Sequence, residues 1–178
     1  MREIVARRGW PATVTPLPAG LHNRPQTIVK EAERAVASAL ASGRSVALAY
    51  ADCGTYGALD ELCDRYAVRR LPGLHCYDVF AGADRMAAMF DAEPGTYVLT
   101  DFLLRSFDRS VLAELGLDRY PELWDDYFGH YTRLVWLAQQ PSPALEAEAD
   151  RVAGMFGLPL TRVDAGVSRL ERALGELL

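Results

Sequence analysis

The sequence predicts an α/β protein: a doubly wound, mostly parallel sheet in a Rossmann-like, three-layer arrangement, with its motif-bearing loops at the carboxyl ends of the strands. Three observations carry this. Short apolar runs alternate with helical patterns along the chain, as strand–helix–strand units with right-handed crossovers do. The run from Ser45 to Ala51 is continuously apolar rather than alternating, as in a strand covered on both faces. With 178 residues, 50% of them hydrophobic and 24% charged, the chain can bury one full core, so residues 1–178 are expected to form a single domain.

In chain order, Ala12 to Leu17 is expected as a short strand, with Pro16 marking an edge or an early end because it cannot donate to a ladder. Pro25 suits the first turn of a helix, Ile28, Val29, Ala32, Ala35, Val36, Ala39 and Leu40 follow at helical spacing, and Gly43 stops it. The Ser45–Ala51 strand leads to Asp52-Cys53-Gly54-Thr55-Tyr56-Gly57. Leu59, Leu62, Cys63 and Tyr66 then recur at the spacing of a buried helical stripe, where Cys63 reads as a small core hydrophobe. A short strand near Val68 to Leu71 ends at Pro72-Gly73, ahead of His75-Cys76, and a helical pattern resumes from Asp84 to Phe90.

Glu93-Pro94-Gly95 is turn chemistry, Thr96 to Thr100 a strand, and Asp101 an expected N-cap for the helix carrying Phe102, Leu103 and Leu104. Helical pieces are expected over 110–115 and 121–128. The last third predicts a strand over 132–138, a helix over 143–156, a strand over 158–163 and a closing amphipathic helix over 168–178.

Composition narrows the function. The net charge of −5 argues against a general nucleic-acid footprint, which needs a clustered basic face. Three cysteines without framework spacing fit a reducing cytoplasm, and neither a signal-peptide stretch nor a membrane span is expected. Gly54 and Gly57 lack the remaining positions of a phosphate-cradling loop. Trp124, Tyr127, Phe128 and Tyr131 read as core or partner-facing surface, and His130 and Arg133 fall at the opposite rim from the cysteines.

Ligands of such sheets bind outside the strand carboxyl ends. His22, Asn23 and Arg24 follow the first expected strand, Asp52, Cys53 and Thr55 the second, His75 and Cys76 the third, and Asp101 the fourth. They are expected to share one rim. Thiolate and imidazole suit zinc, copper(I) and iron–sulfur species, so Cys53, Cys76, His22 and His75 are the candidate metal ligands. Arg24, Asp52, Thr55 and Asp101 are candidates for contacts to a bound cofactor, Arg24 as a clamp for a carboxylate or phosphate. Cys53 and Cys76 are equally candidate nucleophiles or proton-transfer bases, since strand-to-helix loops favour the thiolate.

The segments Leu21-His22-Asn23-Arg24-Pro25, Asp52-Cys53-Gly54-Thr55, Pro72-Gly73 with His75-Cys76-Tyr77, Thr100-Asp101-Phe102-Leu103, and Tyr127-Phe128-Gly129 with Tyr131-Thr132-Arg133 are together distinctive. Over roughly residues 3 to 140 the chain resembles a family of bacterial and archaeal proteins, domain-of-unknown-function family 1638. The resemblance implies a setting beside corrinoid-dependent methyltransferases, hence an accessory role in one-carbon or corrinoid metabolism with a corrinoid protein or methyltransferase as partner. It also implies a short strand ending in Cys-Gly-Ala-Leu ahead of the segment matching Arg2-Glu3-Ile4. The chain begins after it, so a first strand and a third rim cysteine are expected either upstream of a misassigned start or not at all. Three readings follow: a metal- or metallocofactor-binding accessory protein holding zinc, iron or an iron–sulfur cluster, an enzyme using a cysteine thiol on a small carboxylated or methylated substrate, and a scaffold that only binds a partner.

Overall fold

The computed structural model describes residues 1–178, apart from the side chains of residues 19 and 23. Its contacts fall into two compact units, Met1–Val79 with Ser168–Leu178, and Phe80–Val167.

The first unit starts with α1 (Arg2–Arg8), which the sequence reading did not anticipate. The predicted strand over 12–17 is absent. Pro11, Pro16 and Pro18 offer no backbone N–H, and no described residue pairs with the segment. A 3₁₀ turn over 19–23 leads instead into α2 (Pro25–Ala41), where Pro25 occupies the first turn as expected. Ile28, Ala32 and Val36, four residues apart, form its buried stripe.

Next come β1 (Ala47–Leu48), α3 (Ala58–Tyr66), β2 (Arg69–Arg70) and α4 (Cys76–Ala81), whose first turn belongs to this unit. Both strands are shorter than predicted. β1 and β2 pair in parallel, Ala47 opposite Arg69 and Leu48 opposite Arg70. The regular ladder runs to the Leu71 N–H and is interrupted at Pro72, which has no donor. Leu21, Ile28, Leu48, Leu59, Leu62 and Cys63 share one core, so Cys63 is the small core residue its spacing predicts. Burial pushes the Cys63 thiol up. At the chain end α9 (Ser168–Leu177) pairs Glu171 with Arg7 and Arg8 of α1, and Arg69 donates to the carbonyls of Glu176 and Leu177.

The second unit contains α5 (Ala83–Ala92), β3 (Thr96–Thr100), α6 (Asp101–Phe107), α7 (Trp124–Phe128), β4 (Arg133–Ala138), α8 (Pro143–Phe156) and β5 (Leu160–Asp164). Its parallel sheet runs β3-β4-β5. β4 is buried along nearly its whole length, whereas β5 is a largely exposed edge. Trp124, Phe128, Tyr131, Tyr97 and Phe156 pack ring against ring around Phe107 and Trp136, making the predicted aromatic cluster chiefly core. Arg133 ties the unit together by donating to Thr96 Oγ1 and the Met89 carbonyl, and His130 lies against Tyr131.

The mixed α/β class is therefore observed, but the strands lie in two parallel sheets of two and three strands rather than one. The three-stranded sheet keeps sequential order, with no point at which strand order reverses. Among the described residues no helix is long and apolar enough to cross a membrane.

Candidate metal centre

Parallel pairing of β1 and β2 sends both cysteine loops out of the same sheet edge. Pairing outlasts the strands: the Asp52 N–H donates to the Gly73 carbonyl at 3.1 Å and the Cys53 N–H to the Leu74 carbonyl at 2.8 Å. Two loops distant in sequence are thus bonded backbone to backbone.

The first loop is bent around one carboxylate. Asp52 is only 7% exposed, and its oxygens accept from the backbone N–H groups of Gly54, Thr55, Tyr56 and Gly57 and from the Thr55 hydroxyl, at 2.8–3.1 Å. Burial opposes its charge, but the donors of Gly57, Thr55 and Tyr56 together outweigh it and hold the carboxyl below its ordinary range. This lets Cys53 and Tyr56 take φ values of 52° and 53°, with Gly54 and Gly57 at 85° and 89°. Left-handed backbone is natural for the glycines and strained for the other two.

The second loop is bent the same way. Asp78 accepts from the Leu74 and His75 N–H groups at 2.9 and 3.1 Å, the back-bonding half of a capping box at the start of α4. Gly73, at φ 113°, passes so near that a Cβ would stand 3.0 Å from that of Asp78. Arg70 then fixes the loop to α3 by gripping both Asp60 oxygens while donating to the Leu71 carbonyl.

The third segment is the 3₁₀ turn carrying His22. Leu21 anchors it in the core, and Pro25 packs on Gly54, where a Cβ would meet its ring at 3.6 Å. The result is a cluster in which one donor atom each from His22, Cys53 and Cys76 lies within 4.8 Å of the others. His22 is exposed and the cysteines are half-buried, so the cluster faces solvent on its imidazole side.

The two sulfurs are electrostatically unlike. The Cys76 thiol donates to Cys53, and although burial works the other way, His22 and the Cys76 N–H add further bonds and charge, bringing Cys53 down to about 5. Cys76 is pushed up, by that same bond to Cys53, by burial and by the Cys53 charge. The two sulfurs titrate as a pair, with the first proton lost more readily than from an ordinary thiol, at Cys53 in preference to Cys76, and the second held more tightly. Tyr50, which residue-type arguments overlooked as the end of an apolar run, completes the arrangement. Its ring stacks on His22 with centroids 5.3 Å apart, and its hydroxyl lies 3.3 Å from His22 Nδ1. Burial first, then the charges of Cys53 and Cys76, push the Tyr50 phenol up, so it stays neutral.

The other expected rim residues have different places. His75 is exposed, lies against Tyr77 and stands outside the three-residue cluster. Arg24 is exposed at the start of α2, its carbonyl bonded to Thr27. Asp52 and Thr55 bond to each other and shape the loop. Asp101 belongs to the second unit, where it is 3% exposed and accepts from Trp136 Nε1, Gln139 N and Gln140 N. The expected N-cap role falls to its neighbour: Thr100 accepts from the Leu103 N–H, and Asp101 is the first residue inside the helix.

Chemically, two sulfurs and an imidazole form a soft donor set. Tetrahedral zinc with Zn–S bonds of about 2.3 Å holds two sulfurs about 3.8 Å apart, a spacing inside the 4.8 Å within which the donor atoms of the cluster lie.

No curated protein and no solved structure matches the chain. A family model described as protein of unknown function (DUF1638) matches residues 16–174, a span that contains all three segments of the cluster. The chain belongs to that family.

Proposed function

We propose that the protein binds a thiophilic metal ion, zinc or iron, through Cys53, Cys76 and His22, and serves as a metal-bearing accessory protein. The observation that carries this reading is the meeting of three soft donors from separate segments within 4.8 Å. Structural zinc sites use this donor chemistry, and thiolate–imidazole sets disfavour magnesium and calcium. Two thiolates balance a divalent charge, so the ion enters the half-buried site without a net charge. A single ion suits the set better than an iron–sulfur cluster, which takes four cysteines or two with two histidines. Tyr50 supports the His22 ring through Nδ1, as outer partners of ligating histidines do.

The test is metal content after anaerobic purification from cells replete in zinc and iron. About one ion per chain is expected for the wild type, falling to near zero in Cys53→Ser and Cys76→Ser. Near-zero content in the wild type, or content indifferent to both substitutions, contradicts the reading. The partner we propose is a corrinoid protein or methyltransferase, the setting the family resemblance implies, and co-purification with tagged protein tests it.

The polarised thiol pair favours a second reading, catalysis by Cys53 as nucleophile or base with Cys76 as proton donor. Rapid alkylation of Cys53 in the metal-loaded protein would favour it, and metal-dependent protection of Cys53 would count against it.

A further inference from the structure

We infer that Cys53 and Cys76 form a redox couple: a hydroperoxide closes them into a disulfide, and the disulfide evicts the metal ion. The eviction rests on the metal reading above, whereas the disulfide stands on the placing of the sulfurs alone. The Cys53 sulfur accepts from both the thiol and the backbone N–H of Cys76, so the two residues touch although their loops are distant in sequence. The loops are also fastened to each other, by the Asp52 N–H to the Gly73 carbonyl and the Cys53 N–H to the Leu74 carbonyl. The Asp52 and Asp78 carboxylates hold the bend of each. All three cysteines are free, but Cys63 is buried in the core, whereas Cys53 and Cys76 are half-buried in a cluster that faces solvent through His22.

One sulfur, as thiolate, attacks the hydroperoxide. An S–O bond forms, the O–O bond breaks, and the departing alkoxide takes up the first thiol's proton to leave as alcohol, or as water where the oxidant is hydrogen peroxide. The other sulfur then displaces hydroxide from this sulfenic acid. The S–S bond forms, and the hydroxide leaves as water with the second thiol's proton. The thiols lose two electrons and two protons, and the hydroperoxide gains both. From the metal-bound state the two protons come from solvent and the ion leaves as the free dication. Contact between the sulfurs makes the second step intramolecular, which favours the disulfide over further oxidation to sulfinic acid. A disulfide has no thiolate, the form that binds metal, so the ion loses two of the three ligands the cluster supplies.

The experiment treats zinc-loaded and metal-free samples of the intact chain with hydrogen peroxide, blocks the remaining thiols with an alkylating agent and maps the peptides by mass spectrometry without reductant. A chromogenic chelator follows zinc. Both samples should yield a Cys53–Cys76 linked peptide with the Cys63 thiol intact, and the loaded sample should release about one zinc ion per chain. Dithiothreitol followed by zinc should restore binding. Cys63→Ala should behave as wild type, and Cys76→Ser should give no linked peptide and leave Cys53 as a sulfenic acid that dimedone traps. Wild-type thiols that stay free in the metal-free sample, pair with Cys63, join two chains or pass straight to sulfinic acid overturn the couple. Linking confined to the metal-free sample, or zinc retained by the linked chain, overturns the eviction while leaving the metal reading standing. A wild type that holds no zinc before oxidation overturns the metal reading and the eviction with it, and the metal-free sample still decides the disulfide.

Discussion

Cys53 sits in left-handed backbone, which costs a residue bearing a side chain roughly 1–2 kcal/mol, and Asp52 offsets that cost by gathering the loop's N–H groups. Removing that acceptor in Asp52→Ala leaves several donors unsatisfied. The substitution should lower stability by about 3 kcal/mol, read by anaerobic urea denaturation, and weaken metal binding tenfold or more. Titration supplies a second expectation. With Cys53 at about 5 in the folded chain against an ordinary 9.0, the folded state holds fewer protons than the unfolded state between those values. Metal-free stability should therefore rise with pH across that window and be lost as pH falls through about 5. Cys76, shifted upward, opposes the trend only above 9.0. Cys53→Ser should flatten the slope, and an unchanged slope would contradict the assigned thiolate. At pH 7 zinc binding should release about one proton from the thiol pair rather than two, measurable by calorimetry in buffers of different ionisation enthalpy. The cysteines and His22 were legible as chemistry because few other residue types bind soft metals. Tyr50 was hidden by its place in an apolar run, and sequence could not show that the Asp52 and Asp101 oxygens are already filled by neighbours.

Among elements, the helices were more legible than the strands. The stripe of Ile28, Ala32 and Val36 needs only its own periodicity, and 143–156 is delimited by Ser142 as N-cap, with its hydroxyl accepting from Leu145, and by Gly157. Strands depend on partners. Thr96–Thr100 was read correctly because β4 pairs with every residue of it, whereas Ala12–Leu17 alternates in exposure yet has proline where a ladder needs donors. β1 and β2 contract to two residues each because Pro72 and the turn at Cys53 divert the chain. Even so, their parallel register is what delivers both cysteine loops to one edge. Thr100 rather than Asp101 caps α6, so Thr100→Ala should cost about 1 kcal/mol in thermal denaturation. Asp101→Ala, which strands the donors of Trp136, Gln139 and Gln140, should cost about 3 kcal/mol.

On the scale of the whole molecule, each unit has its own buried core, one around Ile28, Leu59 and Leu62, the other around Leu134, Trp136 and Phe107. No shift in composition announced this division, which falls between Val79 and Phe80 inside α4. All three cluster residues belong to the first unit. Zinc at a hundred times its Kd stabilises whatever it binds by about 2.7 kcal/mol. Its protection against hydrogen exchange should concentrate in 1–79 and 168–178, and equal protection throughout 80–167 would show that the units open together.

The most direct measurement is zinc K-edge X-ray absorption on the metal-loaded intact chain. Cys53, Cys76 and His22 should give a first shell of two sulfurs at about 2.3 Å and at least one nitrogen at about 2.0 Å, with the sulfur count falling to one in Cys76→Ser. A shell of light atoms alone, or a sulfur count that the substitution leaves unchanged, would contradict the proposed centre.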